Sequence, residues 1–326
     1  MKKLKLMIFI TILFSMFLQS DVIKKSKSEV SFAKYGTFKT ERTEIISPLT
    51  KRTDSNDNFK GKGFLSKLAA KVFFKSGEFS KIIDLKESRI ATINHKKKKV
   101  VVKDIVKLTG DDGSESEVGD TEESEERESD ITITKNEFKV VVTGKKKVIN
   151  GFPTIEYSVS WIVEWESNND ESKGSSKLIS NVWATLVTGK IYSSQKIESL
   201  FFKNYMKKLG LDTDMKRDDV LGGSWLRIFT SLSRSSSTQS SEKAKKFRKE
   251  ISKIKGYPVV IDGEYYSSVT GEKKKKGLKG LLKKKKKAGA DEIPKFTFYT
   301  EVIELSIVKS DPGNYSYPEG YKIKER

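Results

Sequence analysis

The chain is 326 residues long, 36% hydrophobic and 10% aromatic, enough apolar material for one large domain or two ordinary ones. Its formal net charge is +20 at pH 7, which attracts polyanions through a field that salt screens. Cysteine is absent, and that excludes disulfides, thiolate metal sites, a cysteine nucleophile and the acylated N-terminal cysteine of a bacterial lipoprotein.

Lys2, Lys3 and Lys5 precede an apolar run, Leu6 to Leu18, broken only by Thr11 and Ser15. Leu18-Gln19-Ser20 then ends in a small residue before Asp21. This order predicts a signal peptide over residues 1–20, and the apolar run is shorter than the ~20 residues of a spanning helix. The mature chain is expected outside the cytoplasm, periplasmic or extracellular and soluble after cleavage. Retention of the segment as an anchor is the alternative, because Leu18 is large for the third position before a cut.

Val30–Ile46 reads as one or two strands, and Thr50–Asn58 as a polar loop. Phe64, Leu65, Leu68, Ala69, Val72 and Phe73 recur at helical spacing over Gly63–Lys75, with Lys67, Lys71 and Lys75 on another face. That helix fits either a core helix packed on a sheet or a cationic lid or membrane-surface helix. Ile82–Leu85, Arg89–Asn94 and Val100–Leu108 read as short strands. Residues 110–130 are Asp, Glu, Ser and Gly and predict a disordered acidic insertion. Ile131–Thr143 resumes as strand. The clearest periodicity follows: Tyr157, Val159, Trp161, Val163 and Trp165 alternate with mostly polar residues, as in a long antiparallel strand with one buried face.

Leu178–Val187 is expected to pair nearby. Helices are predicted over Gln195–Leu209, ending at Gly210, over Trp225–Leu232, and over Ser241–Lys255, capped by Gly256. Tyr257–Ser267 and Ile293–Lys309 are the last strands, separated by a lysine-rich loop, 272–287. Residues 311–326 read as an irregular tail. Strands with a few inserted helices make an α+β pattern, expected as a single domain over 21–310.

Four patches carry a family resemblance. They are Gly61-Lys62-Gly63-Phe64-Leu65; Ile82-Ile83-Asp84-Leu85 with Arg89-Ile90 and Thr92-Ile93-Asn94; Gly144–Lys147 through Asn150-Gly151-Phe152-Pro153 into the Tyr157 strand; and Lys255-Gly256-Tyr257-Pro258-Val259. In this order the chain resembles the DUF4412 family of exported bacterial proteins of unknown function, which is similar in fold to the LolA/LolB-like periplasmic lipoprotein carriers. The resemblance implies a strongly curved antiparallel sheet, an incomplete barrel, with helices over its concave face. It also implies an acyl chain or lipid held between sheet and helices. The apolar residues that periodicity offers for such a lining are Phe64, Leu68, Val72, Phe73, Tyr157, Trp161 and Trp165, each of which also fits plain core packing.

No catalytic constellation stands out. His95 is the only histidine and precedes Lys96–Lys99 in a predicted turn, with no second histidine for a metal and no triad. The acidic run from Asp111 lacks the ligand order of a calcium loop, and the Gly/Lys run from Gly271 lacks that of a phosphate loop. No cofactor is expected, no enzyme activity, and no pocket gathering Asp, Glu, Tyr or Lys from distant strands. In the 272–287 loop the leucines Leu278, Leu281 and Leu282 sit among lysines such as Lys283. Without arginine or interleaved aromatics, that composition suits an anionic membrane surface better than nucleic acid. Two functions follow as expectations: a non-enzymatic carrier of an apolar ligand, or a closed-core envelope protein contacting anionic membrane or polymer.

Overall fold

The computed structural model describes residues 20–63, 76–107, 131–211, 241–270 and 293–326. Of the predicted leader, only Ser20 lies within them. The Gly63–Lys75 helix (save Gly63), the 110–130 insertion, the Trp225–Leu232 helix and the 272–287 loop lie outside them. No helix among the described residues is long and apolar enough to cross a membrane.

Twelve strands form one large open sheet. In chain order they are β1 (Ser20–Phe32), β2 (Gly36–Ile46), β3 (Thr50–Gly61), β4 (Gly77–Asp84), β5 (Arg89–Asn94), β6 (Lys99–Asp104), β7 (Ile131–Ile149), β8 (Phe152–Ser167), β9 (Lys173–Thr185), β10 (Tyr257–Thr270), β11 (Phe296–Lys309) and β12 (Lys322–Glu325). The spatial order is β12-β6-β5-β4-β3-β2-β1-β11-β10-β9-β8-β7. Neighbours are antiparallel except β12, which runs parallel to β6. Two helices, α1 (Gly189–Lys208) and α2 (Ser241–Ile251), complete the described elements apart from a short 3₁₀ turn at Pro312–Tyr315. The α+β expectation holds at this level.

Two successions of mostly adjacent antiparallel strands, β1 to β6 and β7 to β11, meet at one seam. There β1 pairs with β11 from Ser20↔Lys309 to Phe32↔Phe296, while its other edge pairs with β2. The β7–β8 connection is the two-residue turn Asn150-Gly151, with φ of 50° and 79°. Positive φ at both central residues is the turn geometry whose twist matches a hairpin, and Asn-Gly is its preferred pair. From this turn Asn150 Nδ2 donates to Glu301 Oε1 at 2.8 Å and to the Val302 carbonyl at 2.9 Å. Since β9 and β10 lie between β8 and β11, the hairpin reaches back across two strands.

Strand β8 follows its predicted alternation: Tyr157, Val159, Trp161 and Val163 are buried, whereas Trp165 is half-buried. Two expectations are corrected. Thr50–Asn58 is not a loop but most of β3, paired on both edges. Its polar side chains find partners on neighbouring strands and within β3: Asp57 accepts from Thr40 of β2, and Asp54 accepts from Ser80 of β4 and from Arg52 of β3 itself. The tail is not wholly irregular either. Asp311 caps the 3₁₀ turn by accepting from the Gly313 N–H, and β12 adds to the sheet.

Helix α1 ends as the sequence predicts. Gly210 takes φ of 76°, its N–H bonds to the Lys207 carbonyl, and the Leu211 N–H bonds to that of Met206. These paired bonds satisfy carbonyls that the helix end would otherwise leave free. Ile191, Ile197 and Phe201 of α1 cluster with Val22, Ile46, Leu85, Val259 and Leu305. Ile251 of α2 clusters with Val140, Tyr157, Trp161, Leu178 and Tyr265. Opposed residues in paired strands share a face, as do alternate residues along one strand. Stepping across Trp161, Leu178, Tyr265, Phe296 and Phe32, then along β1 from Phe32 to Val22, places both helices on one face of the sheet.

Under α1 lies a charged network. Lys24 of β1 bonds Glu44 at 2.9 Å and Glu198 of α1 at 3.4 Å, and Lys51 of β3 bonds Glu44 at 2.5 Å. Burial alone would push the Glu44 carboxyl up, but Lys24 and Lys51 outweigh it and hold the group at about 2. Glu198, Glu44 and the neighbouring Tyr257 likewise hold Lys24 charged against burial, and burial pushes Tyr257 up to about 12. A depressed carboxyl stabilises the fold above its unfolded value and ceases to as pH falls through its folded value. Glu44→Gln is therefore expected to cost about 3 kcal/mol at pH 7, since it strands two partly buried lysines. In urea unfolding across pH, the gap to wild type should close between the ordinary value of 4.5 and about 2. A gap that persists unchanged at pH 2 contradicts the assignment.

Candidate functional site

The two helices share one electrostatic arrangement. Glu198, the only acidic residue of α1, turns inward to Lys24. The outer positions Lys190, Lys196, Lys203, Lys207 and Lys208 are exposed lysines. In α2, Glu250 turns toward the sheet, where its Oε2 accepts the Val140 N–H at 2.9 Å, while Lys245, Lys246 and Lys249 are exposed. Burial would raise the Glu250 carboxyl, yet Lys253 and the Val140 N–H keep it below its ordinary range. Both described acidic side chains are thus committed, and the outer faces carry lysine charge on one side of the sheet. Opposed lysines and an anionic surface attract without a shaped pocket, because each ammonium is a hydrated point charge on a flexible stem.

The apolar lining offered by the sequence is placed differently. Phe64, Leu68, Val72 and Phe73 lie outside the described residues, as do Lys67, Lys71, Lys75, Leu278, Leu281, Leu282 and Lys283. Tyr157 and Trp161 are core: Trp161 is 6% exposed, and its indole N–H donates to Asn136 at 2.9 Å. The Tyr157 hydroxyl donates to the Lys255 carbonyl and accepts the Lys255 N–H, tying β8 to the segment after α2. Trp165 instead covers Gly174 of β9 so closely that a Cβ there would lie 2.2 Å from its ring.

On the opposite face, an open groove of ≈ 530 Å³ is lined by Lys25, Lys27, Arg52, Asp54, Ser80 and His95, among others. It corrects the expectation that no pocket gathers charged side chains from distant strands. The groove also places His95, as expected in a turn, within a chain of hydrogen bonds. Ser80 Oγ donates to Asp54 Oδ1 at 2.5 Å and lies 2.7 Å from His95 Nε2; His95 Nδ1 lies 3.1 Å from the Tyr321 hydroxyl. Ser80 has one proton and gives it to Asp54, so the Ser80–His95 hydrogen bond is left for His95 Nε2–H to donate. Histidine here gives a hydrogen bond to the serine, the reverse of what a general base does. Arg52 Nε closes the chain on Asp54 at 2.9 Å, and its Nη1 donates to the Asn314 and Ser316 carbonyls. The arrangement fastens the C-terminal tail to β3, β4 and the turn after β5. Sequence reasoning missed it because Ser80 and Tyr321 are 15 and 226 positions from His95.

No family model, curated protein or solved structure matches the chain.

If Trp161 is core rather than pocket wall, Trp161→Ala is expected to destabilise the protein by about 3–5 kcal/mol in denaturant unfolding, the range for deleting a buried aromatic. A change under about 1 kcal/mol would instead mark a side chain facing space that a ligand fills.

Proposed function

We propose that the chain is an exported, non-enzymatic protein of the bacterial cell envelope that docks on an anionic membrane or polymer surface through the lysine faces of α1 and α2. The observation that carries this reading is the inward commitment of Glu198 and Glu250, which leaves lysines outermost on both helices. The net charge of +20 and the lysine-rich 272–287 loop support it, as does the packing of Tyr157 and Trp161 into the core. The direction of the Ser80–His95 hydrogen bond supports a chain without hydrolytic chemistry.

A second reading is the carrier of an apolar ligand that the DUF4412 resemblance implies. It is favoured by the open sheet and by the Asn150–Glu301 contact, which suits the strongly curved incomplete barrel of LolA-like proteins with helices over its concave face. The ligand, an acyl chain or lipid, would lie between sheet and helices.

Vesicle sedimentation separates the two. The first reading expects binding to vesicles of phosphatidylglycerol in phosphatidylcholine but not to phosphatidylcholine alone, weakening with salt. Juxtamembrane basic residues contribute about 1 kcal/mol each, so the Lys203→Glu, Lys207→Glu double variant should lose more than about tenfold in partition coefficient. Unchanged partition contradicts it. Stoichiometric lipid extracted from protein purified out of its envelope would favour the carrier.

A further inference from the structure

We infer that Asn150 is a site of spontaneous covalent modification, a one-way switch in which attack by the Gly151 nitrogen turns the Asn150 amide into a carboxylate and loosens the tip of the β7–β8 hairpin from β11.

Asn150 and Gly151 are the two central residues of the hairpin turn, and both are exposed. An asparagine followed by glycine is open to attack by its own chain, because glycine puts no side chain beside its peptide nitrogen. Nothing else crowds the position: a Cβ built on Gly151 would meet no atom within 4 Å. In the reaction the Gly151 nitrogen loses its proton and bonds to Cγ of Asn150. The Cγ–Nδ2 bond breaks, and the amide nitrogen leaves with that proton as ammonia. Water then opens the five-membered imide. Addition at Cγ gives a side-chain carboxylate on an ordinary backbone; addition at the main-chain carbonyl leaves the chain routed through the side chain, with one more methylene in a two-residue turn.

The same amide is the clamp on β11. Its nitrogen spends one hydrogen on Glu301 Oε1 at 2.8 Å and the other on the Val302 carbonyl at 2.9 Å. Glu301 is held as an acceptor by Lys27 at 2.6 Å and by the Tyr299 hydroxyl at 2.7 Å. Both Asn150 bonds must break before Cγ swings back onto the Gly151 nitrogen, so the folded clamp restrains the reaction. Conversion removes the only donor of the clamp. A carboxylate there brings three acceptors together with no proton between them, two of them charged, and the loss cannot be reversed by refolding.

Wild-type protein is incubated in mildly alkaline buffer, folded and in concentrated urea, and mapped by mass spectrometry with separation of the aspartyl and isoaspartyl peptides. Conversion at Asn150 is expected in urea, and at least about tenfold more slowly in the folded chain. No conversion in urea overturns the site, and equal rates overturn the restraint. Glu301→Ala should remove most of the protection of the folded chain; an unchanged rate overturns the role of the clamp. The switch itself is read by hydrogen exchange in two further variants. Asn150→Asp should speed exchange at the hairpin tip about tenfold more than Asn150→Gly, which removes the amide without adding charge and tolerates the turn's positive φ. Equal exchange in the two overturns the switch, and this comparison also decides the role of the clamp should Glu301→Ala not fold.

Discussion

The pairing of β1 with β11 is the constraint on which the rest of the molecule depends. Each half of the sheet is built largely of neighbouring strands, and β1, hydrogen-bonded to β2 on one edge and β11 on the other, joins them in one sheet. The first described residue of the chain thereby meets Lys309, a closure of very high sequence separation that is entropically expensive and slow to form. Side chains concentrate on the seam accordingly. Lys24 gathers Glu44 and Glu198, Lys27 bonds Glu301 at 2.6 Å, and Asn150 reaches the same Glu301 from the far hairpin. Burial would raise the Glu301 carboxyl, but Lys27, Tyr299 and Asn150 hold it below its ordinary range. The seam is thus stitched by charges on both faces, beside the apolar cluster that joins Val22 and Ile46 to Val259 and Leu305 under α1.

This arrangement separates the two faces by chemistry. The helices lie on one, where apolar clusters take up the inward side chains and lysines are left outside. The other carries the polar groove, the His95 relay and the C-terminal tail, and its charges are largely spent on one another. Lys25 and Lys27 of the groove bond Glu304 and Glu301, and Arg52 bonds Asp54. An anionic partner therefore finds exposed lysine charge on the helical face more readily than in the groove. For such a surface partner, long-range attraction and salt sensitivity matter more than shape.

What could be read from the sequence follows from how local the determining physics is. The strand from Tyr157 to Trp165 was legible because one face is buried and the period of two is written in the residues themselves. Helix α1 was legible at its end because Gly210 supplies a conformation few other residues adopt. Strand β3 was not: Thr50–Gly61 is polar on both faces, and what holds it extended is supplied by Thr40, Ser80 and both flanking backbones. The seam was invisible for the same reason, since nothing near Ser20 in the chain announces Lys309. Of the candidate site, the lysine excess was plain in the composition. Which glutamates turn inward depends on Lys24 and Val140, each more than 100 positions away, and so could be found only in the fold.

The most direct test of the account is lysine-reactivity footprinting by mass spectrometry, with and without phosphatidylglycerol-containing vesicles. If the helical faces meet the partner, Lys203, Lys207, Lys246 and Lys249 lose reactivity on binding while Lys96, Lys97 and Lys98, exposed in the turn beside the groove, do not. Protection of Lys96–Lys98 with the helix lysines unchanged would contradict it and move the working surface to the opposite face.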